Sequence, residues 1–170
     1  MTATYDCIAT TTLGSATRSI TFSSIPNTYT DLLVLLSARS EGTDGDSFFT
    51  INANTGANYS YRRLSGDGST ATSNSSTGAT GGYWAYIPPN SYTSNTFGNV
   101  SLYIPNYTSS NNKSFSVDGV SENNSSGATC RLVAGLWAQT SAITSLEFTT
   151  YGADLNQYST ATLYGIKNTV

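Results

Sequence analysis

The sequence predicts an all-β protein: a single antiparallel two-sheet β-sandwich spanning residues 1–170. Three observations point there. The apolar segments are short and rich in Thr, Tyr, Val, Ile and Phe, residues that suit a pleated, half-buried surface. Apolar and polar residues alternate with period two and show no helical period. Clusters of Gly, Asn, Ser and Pro recur about every 10–14 residues, a spacing that fits hairpins and leaves no room for crossover helices.

The elements follow in order. Tyr5–Leu13 and Arg18–Phe22 open the chain as Thr-rich strands. Asp31–Arg39 sets Leu32, Val34 and Leu36 on one side against Leu33 and Leu35 on the other. A strand apolar on both faces is covered on both, by its own core and by a loop or another subunit. Strands are expected next at Ser47–Asn52 and Tyr59–Leu64. The segment Gly66–Gly82, GDGSTATSNSSTGATGG, is almost free of apolar side chains and reads as a mobile Gly/Ser/Thr-rich loop at 66–82. Tyr83–Ile87 and Phe97–Ile104 resume the sandwich, with Val100, Leu102 and Ile104 facing one way and Ser101 and Tyr103 the other. Lys113–Val120 places Phe115 and Val117 on one face. Thr129–Ala138 is apolar on both sides: Cys130, Leu132, Ala134 and Leu136 oppose Val133 and Trp137. Ile143–Thr150 and Ser159–Ile166 close the set, and Ser121–Ala128 is a second polar loop.

An Ile-Pro-Asn tripeptide occurs at Ile25–Asn27 and again at Ile104–Asn106, with a Pro-doubled form at Ile87–Asn90. Each Ile ends an apolar alternation. The Pro lacks an amide hydrogen and stops ladder pairing, and the Asn turns the chain. The motif is a strand terminator. The tyrosines that follow, Tyr29, Tyr92 and Tyr107, are expected together at one end of the sandwich.

Composition excludes several functions. Charged residues are only 10% of the chain, against roughly 25% in ordinary domains. Ser, Thr, Asn and Gly take their place. Net charge is −3 and the seven Lys and Arg are scattered, so the phosphate-neutralising patch that nucleic acid needs is missing. No apolar run approaches the roughly 18 residues of a membrane helix. The first residues lack the basic and apolar regions of a signal peptide, so synthesis in a cytoplasm is expected. Cys7 and Cys130 have no metal spacing and read as buried free thiols in strands, with a disulfide between them the alternative. A chain of this length buries roughly 68–70% of its unfolded surface and needs neither metal nor disulfide to fold.

Catalytic chemistry finds little support. The chain has no His, so the commonest general base is absent and no Ser or Cys nucleophile has an evident partner. The three Glu and seven Asp fall mostly in loops and at strand ends. Glu122 and Glu147 would be the acids to test for a glycosidase pair. Glu41, Asp44 and Asp46 in a Gly-rich stretch are a weak cation candidate that lacks the distal Glu of a calcium loop. Asn-X-Ser/Thr sequons, among them those at Asn58, Asn74, Asn99, Asn106 and Asn124, are what this composition produces by chance. No enzyme activity, metal or cofactor is expected.

The twelve Tyr and two Trp are a stronger signal. Aromatic rings with a polar tip suit half-wet surfaces such as subunit interfaces and sugar platforms. Tyr59, Tyr61, Tyr83, Trp84 and Tyr86 flank the 66–82 segment. Packing of the sandwich rim is the plainer reading. The interface reading selects Tyr29, Tyr83, Trp84, Tyr86, Tyr92 and Tyr107.

The stretches Tyr5-Asp-Cys-Ile-Ala-Thr, Phe22-Ser-Ser-Ile-Pro-Asn-Thr-Tyr-Thr-Asp-Leu, Asn58-Tyr-Ser, Ile104-Pro-Asn-Tyr, Lys113-Ser, Ala134-Gly-Leu-Trp and Leu163-Tyr-Gly-Ile resemble a family of small tailed-bacteriophage structural proteins. The resemblance covers nearly the whole chain and includes no catalytic motif. It implies a β-sandwich, often jelly-roll-like and often trimeric, of the capsid decoration (cement) or tail and fibre type. The expected function is that of a capsid decoration protein, a homotrimer that binds the major capsid protein on the virion exterior after synthesis in the bacterial cytoplasm. The alternative is a tail-fibre or receptor-binding module for host surface glycan. Neither involves nucleic acid or a membrane.

Overall fold

The computed structural model describes residues 4–125 and 127–167. The first three residues of the N-terminal segment and Ser126, which completes the Asn124 sequon and belongs to the 121–128 loop, lie outside the described residues. Twelve strands form: β1 (Tyr5–Thr12), β2 (Ser19–Phe22), β3 (Asp31–Ala38), β4 (Asp46–Ile51), β5 (Tyr59–Gly66), β6 (Ala71–Ala79), β7 (Gly82–Tyr86), β8 (Gly98–Ile104), β9 (Lys113–Ser121), β10 (Thr129–Trp137), β11 (Leu146–Thr150) and β12 (Thr160–Ile166). All pairings are antiparallel. One sheet has eight strands in the order β1-β12-β3-β8-β9-β10-β5-β6, and the other has four, β2-β11-β4-β7. The fold is an antiparallel β-sandwich, as the alternation predicts.

The two sheets enclose one apolar core. Val34, Leu102, Val117 and Val133 fill it from the large sheet, and Ile20, Phe49, Ile51 and Phe148 from the small one. Aromatic rings bridge the layers: Phe49 of β4 meets Phe115 of β9 edge-on at 5.0 Å. Small residues set the closest approach, because a Cβ on Gly119 of β9 would stand 3.1 Å from the Ala85 Cβ of β7. Gly135 of β10 is required in the same way. It lies opposite Phe115, whose ring crosses the glycine backbone so closely that any Cβ there would fall 2.0 Å from it.

The Ile-Pro-Asn motif closes β8 and directly follows β7, whereas its first copy, Ile25–Asn27, lies beyond the end of β2 at Phe22. Ile104 is the last residue of β8, and Asn106 takes a left-handed conformation at φ 49°. Two copies are joined, since the Tyr107 hydroxyl donates to the Pro26 carbonyl. Its tyrosines do not gather at one end. Tyr107 stands near Tyr29 at the Asp31 end of β3. Tyr92 packs on Tyr86 beside the opposite end, where the buried Arg39 guanidinium donates to the carbonyls of Asn90, Tyr92, Thr93 and Thr96.

Two further expectations are corrected. The 66–82 segment is not a loop: nine of its residues form β6, an edge strand paired with β5. Backbone hydrogen bonds do most to specify it, because only Ala79 at its end packs against the core. Cys7 and Cys130 are free and exposed rather than buried. Five strand positions separate them in the large sheet, roughly 24 Å at the usual strand spacing.

Candidate functional site

The small sheet shields one face of the large sheet, and the other face is open. Along β9 the sequence alternates buried Phe115, Val117 and Gly119 with exposed Ser114, Ser116, Asp118 and Val120. Along β10 the inward residues are Arg131, Val133, Gly135 and Trp137, and the outward ones are Cys130, Leu132, Ala134 and Leu136. The more continuously apolar side of β10 therefore points away from the core. Val133 and Trp137 fill the interior there, leaving Leu132 58% exposed.

Register builds these residues into a patch. Leu132 lies directly opposite Leu64 of β5, itself 60% exposed. On its other side Leu132 faces Asp118 of β9. Cys130 lies between Val120 and Gly66. A groove of about 410 Å³ runs through the patch, lined by Leu64, Gly66, Ala71, Val120, Cys130 and Leu132. A second groove, of about 400 Å³, continues along Arg62, Leu64, Ser73, Ser75 and Ala134. Around the patch the face is hydroxylated. Thr10 bonds Thr162 at 3.2 Å and Thr12 bonds Thr160 at 2.9 Å, side chain to side chain. Leu35 of β3, 43% exposed, adds a further apolar point. An exposed apolar patch rimmed by polar groups marks an interaction surface. The arrangement supports adhesion, and it presents no nucleophile paired with a base.

The residues selected from sequence sit elsewhere. Tyr83, Trp84 and Tyr107 are core residues, exposed by 1%, 0% and 0%. Their polar tips find partners inside, which lets large amphipathic rings be buried. The Tyr83 hydroxyl donates to Asp46 Oδ1 at 2.7 Å, Trp84 Nε1 donates to the Thr149 carbonyl at 3.3 Å, and Tyr107 is held by Pro26. The Tyr83 ring lies between two guanidinium groups, with Arg63 at 4.8 Å and Arg131 at 5.4 Å. Tyr86 is half-buried under Arg131 at 4.6 Å, and burial pushes its hydroxyl up to about 12. Tyr29 packs across Gly165 with Lys167 5.2 Å from its ring. Tyr92 packs against Tyr86 and Gly127. These six rings do not form a common surface.

The cation candidate is also dispersed. Asp46 is committed to Arg131, 2.7 Å away, and to Tyr83. Desolvation lowers the Arg131 pKa, and Asp46 opposes that shift. Asp44 accepts the Asp46 N–H at 2.8 Å, closing its own turn. Glu41 is exposed. Among the described residues no group of three or more His, Cys, Asp or Glu is placed to hold a metal ion. Glu122 is likewise engaged, accepting the Asn124 N–H at 2.7 Å.

Sequence reasoning missed the Leu64–Leu132 pair. The double-sided apolar pattern of Thr129–Ala138 was its one visible sign. No protein-family model matches this chain, and no curated protein or solved structure matches it either.

Proposed function

We propose that this chain is a bacteriophage capsid decoration protein that acts without catalysis. It would assemble as a homotrimer and bind the major capsid protein on the outside of the shell. What carries the reading is the exposed Leu64–Leu132 pair, one strand in from the β6 edge of a largely hydroxyl-rich sheet face. Fully covering one leucine side chain contributes roughly 1.5–3 kcal/mol, so each copy gains a modest amount. A closed symmetric assembly multiplies weak contacts into firm attachment. The low charge fits the same role, since a Ser/Thr/Asn exterior limits repulsion between crowded copies. Binding the assembled shell in preference to free subunits would stabilise it by mass action.

A reconstruction of the virion that contains this chain tests the proposal. Density over the capsid lattice at high copy number, with the β10–β5 face against neighbouring chains, is the expected result. Density confined to the tail or fibres would refute it.

A further inference from the structure

The opposite side of the molecule carries a groove of different character. It lies on the outer face of the four-stranded sheet and encloses about 540 Å³, within the roughly 300–1,000 Å³ of small-molecule sites. Phe48 and Thr50 of β4, Thr149 of β11, Tyr61 of β5, Tyr151 and Arg18 line it, with the end of β6 and the turn at 80–81 that leads to β7.

Aromatic rings cross the groove in series. Tyr151 stands 6.3 Å from Phe48, Phe48 is 5.7 Å from Tyr83, and Tyr83 is 5.4 Å from Tyr61. Tyr83 is buried beneath the others. Tyr151 is 67% exposed, yet its backbone is tied down. Its N–H donates to the Asp46 carbonyl at 2.9 Å. Two residues on, the Ala153 carbonyl accepts from both Arg18 Nη1 and Thr150 Oγ1. An exposed ring on a pinned turn is a preorganised platform that loses little freedom when a ligand stacks on it.

The polar groups are equally specific. Thr50 Oγ1 is buried, lines the groove and has no hydrogen-bond partner among the described residues. Thr55, Thr80 and Thr149 add three more hydroxyls. Arg18 is the one charged lining residue, and Glu147 lies directly opposite Thr50 across the β11–β4 pair. With a single cation in its lining, the groove lacks the basic cluster that a polyanion needs. Rings for C–H faces, hydroxyls, a guanidinium and a nearby carboxylate match a neutral polyhydroxylated ligand.

We propose that this groove binds a neutral oligosaccharide. The proposal is independent of shell binding, which uses the other sheet. It is tested on the full chain by saturation-transfer difference NMR with cellotetraose, maltotetraose, mannotetraose and chitotetraose, followed by titration. Transfer to the C–H protons of at least one sugar is expected. Tyr151→Ala should weaken that binding about tenfold, the scale of one lost ring contact. Leu132→Asp, on the far face, should leave it unchanged. Absence of transfer from all these sugars, affinity indifferent to Tyr151→Ala, or binding of a Pro-rich peptide in place of sugar would overturn the proposal.

Discussion

Tyr59 begins β5 with 1% exposure. Its hydroxyl accepts the Ile51 N–H at 2.8 Å and donates to the Asn54 carbonyl at 3.2 Å. Burial raises its pKa from 10.0 to about 12. Because the folded value lies above the unfolded one, the contribution is complete below pH 10 and disappears as pH rises through about 12. Stability measured by urea unfolding should therefore fall between those values in the wild type. In Tyr59→Phe that alkaline limb should become shallower, with Tyr86, also raised to about 12, keeping part of it, and stability at neutral pH should drop by about 1–2 kcal/mol for the missing hydrogen bonds. An unchanged alkaline limb in the variant would show that Tyr59 is not among the titrating groups. Lys113 follows related logic without a counter-ion. It is 1% exposed, and its ammonium donates to the carbonyls of Ser109, Asn111 and Thr140. Desolvation lowers its pKa. These uses were invisible in the sequence. A Tyr or Lys reads as a surface residue until the chain is seen to fold its own carbonyls around the polar tip, which is also why Tyr83, Trp84 and Tyr107 were expected at an interface and lie in the core.

Most strands were legible because their side chains record two environments. β9 alternates buried and exposed residues without a break, and Phe115 and Val117 show it in the sequence. β6 carries no such record. All nine of its residues are exposed or half-exposed, because the small sheet ends at β7, which lies against β9 and β10, leaving β6 beyond the core. Composition alone therefore describes a loop, and pairing with β5 makes a strand. Alternation also does not say which side faces inward. In β10 the longer apolar row faces out, a choice made by Trp137 and Val133 filling the interior. β6 further lacks the Lys, Pro or short length that usually protects an edge. An edge strand whose core contact is confined to its last residue, Ala79, opens locally at low cost. Native-state hydrogen exchange should find the β6 amides bonded to β5 exchanging at least about tenfold faster than those joining β8 and β9. Equal protection would mean that something covers β6 in solution.

At the scale of the molecule, the two sheets divide the labour. The small sheet closes the core, and the large sheet offers a broad face whose only concentrated apolar area is around Leu64, Leu132 and Val120. The strand order that brings β5 beside β10, and so Leu64 beside Leu132, joins residues far apart in sequence. No local pattern encodes it. That order also places the exposed Cys130 within the patch and the exposed Cys7 five strands away, a built-in pair of reporters. Under the capsid-decoration proposal, adding shells that lack the protein should slow maleimide labelling of Cys130 strongly and that of Cys7 less. Leu132→Asp should leave the isolated fold within about 0.5 kcal/mol of wild type, as expected for an exposed position. The same change should lower the bound fraction at least about tenfold, because it sets a second carboxylate beside Asp118 and removes the central apolar contact. Stability and attachment are thereby separated in one variant. A protein that binds shells as the wild type does with Asp at 132, or that labels at Cys130 equally fast free and bound, attaches through some other surface.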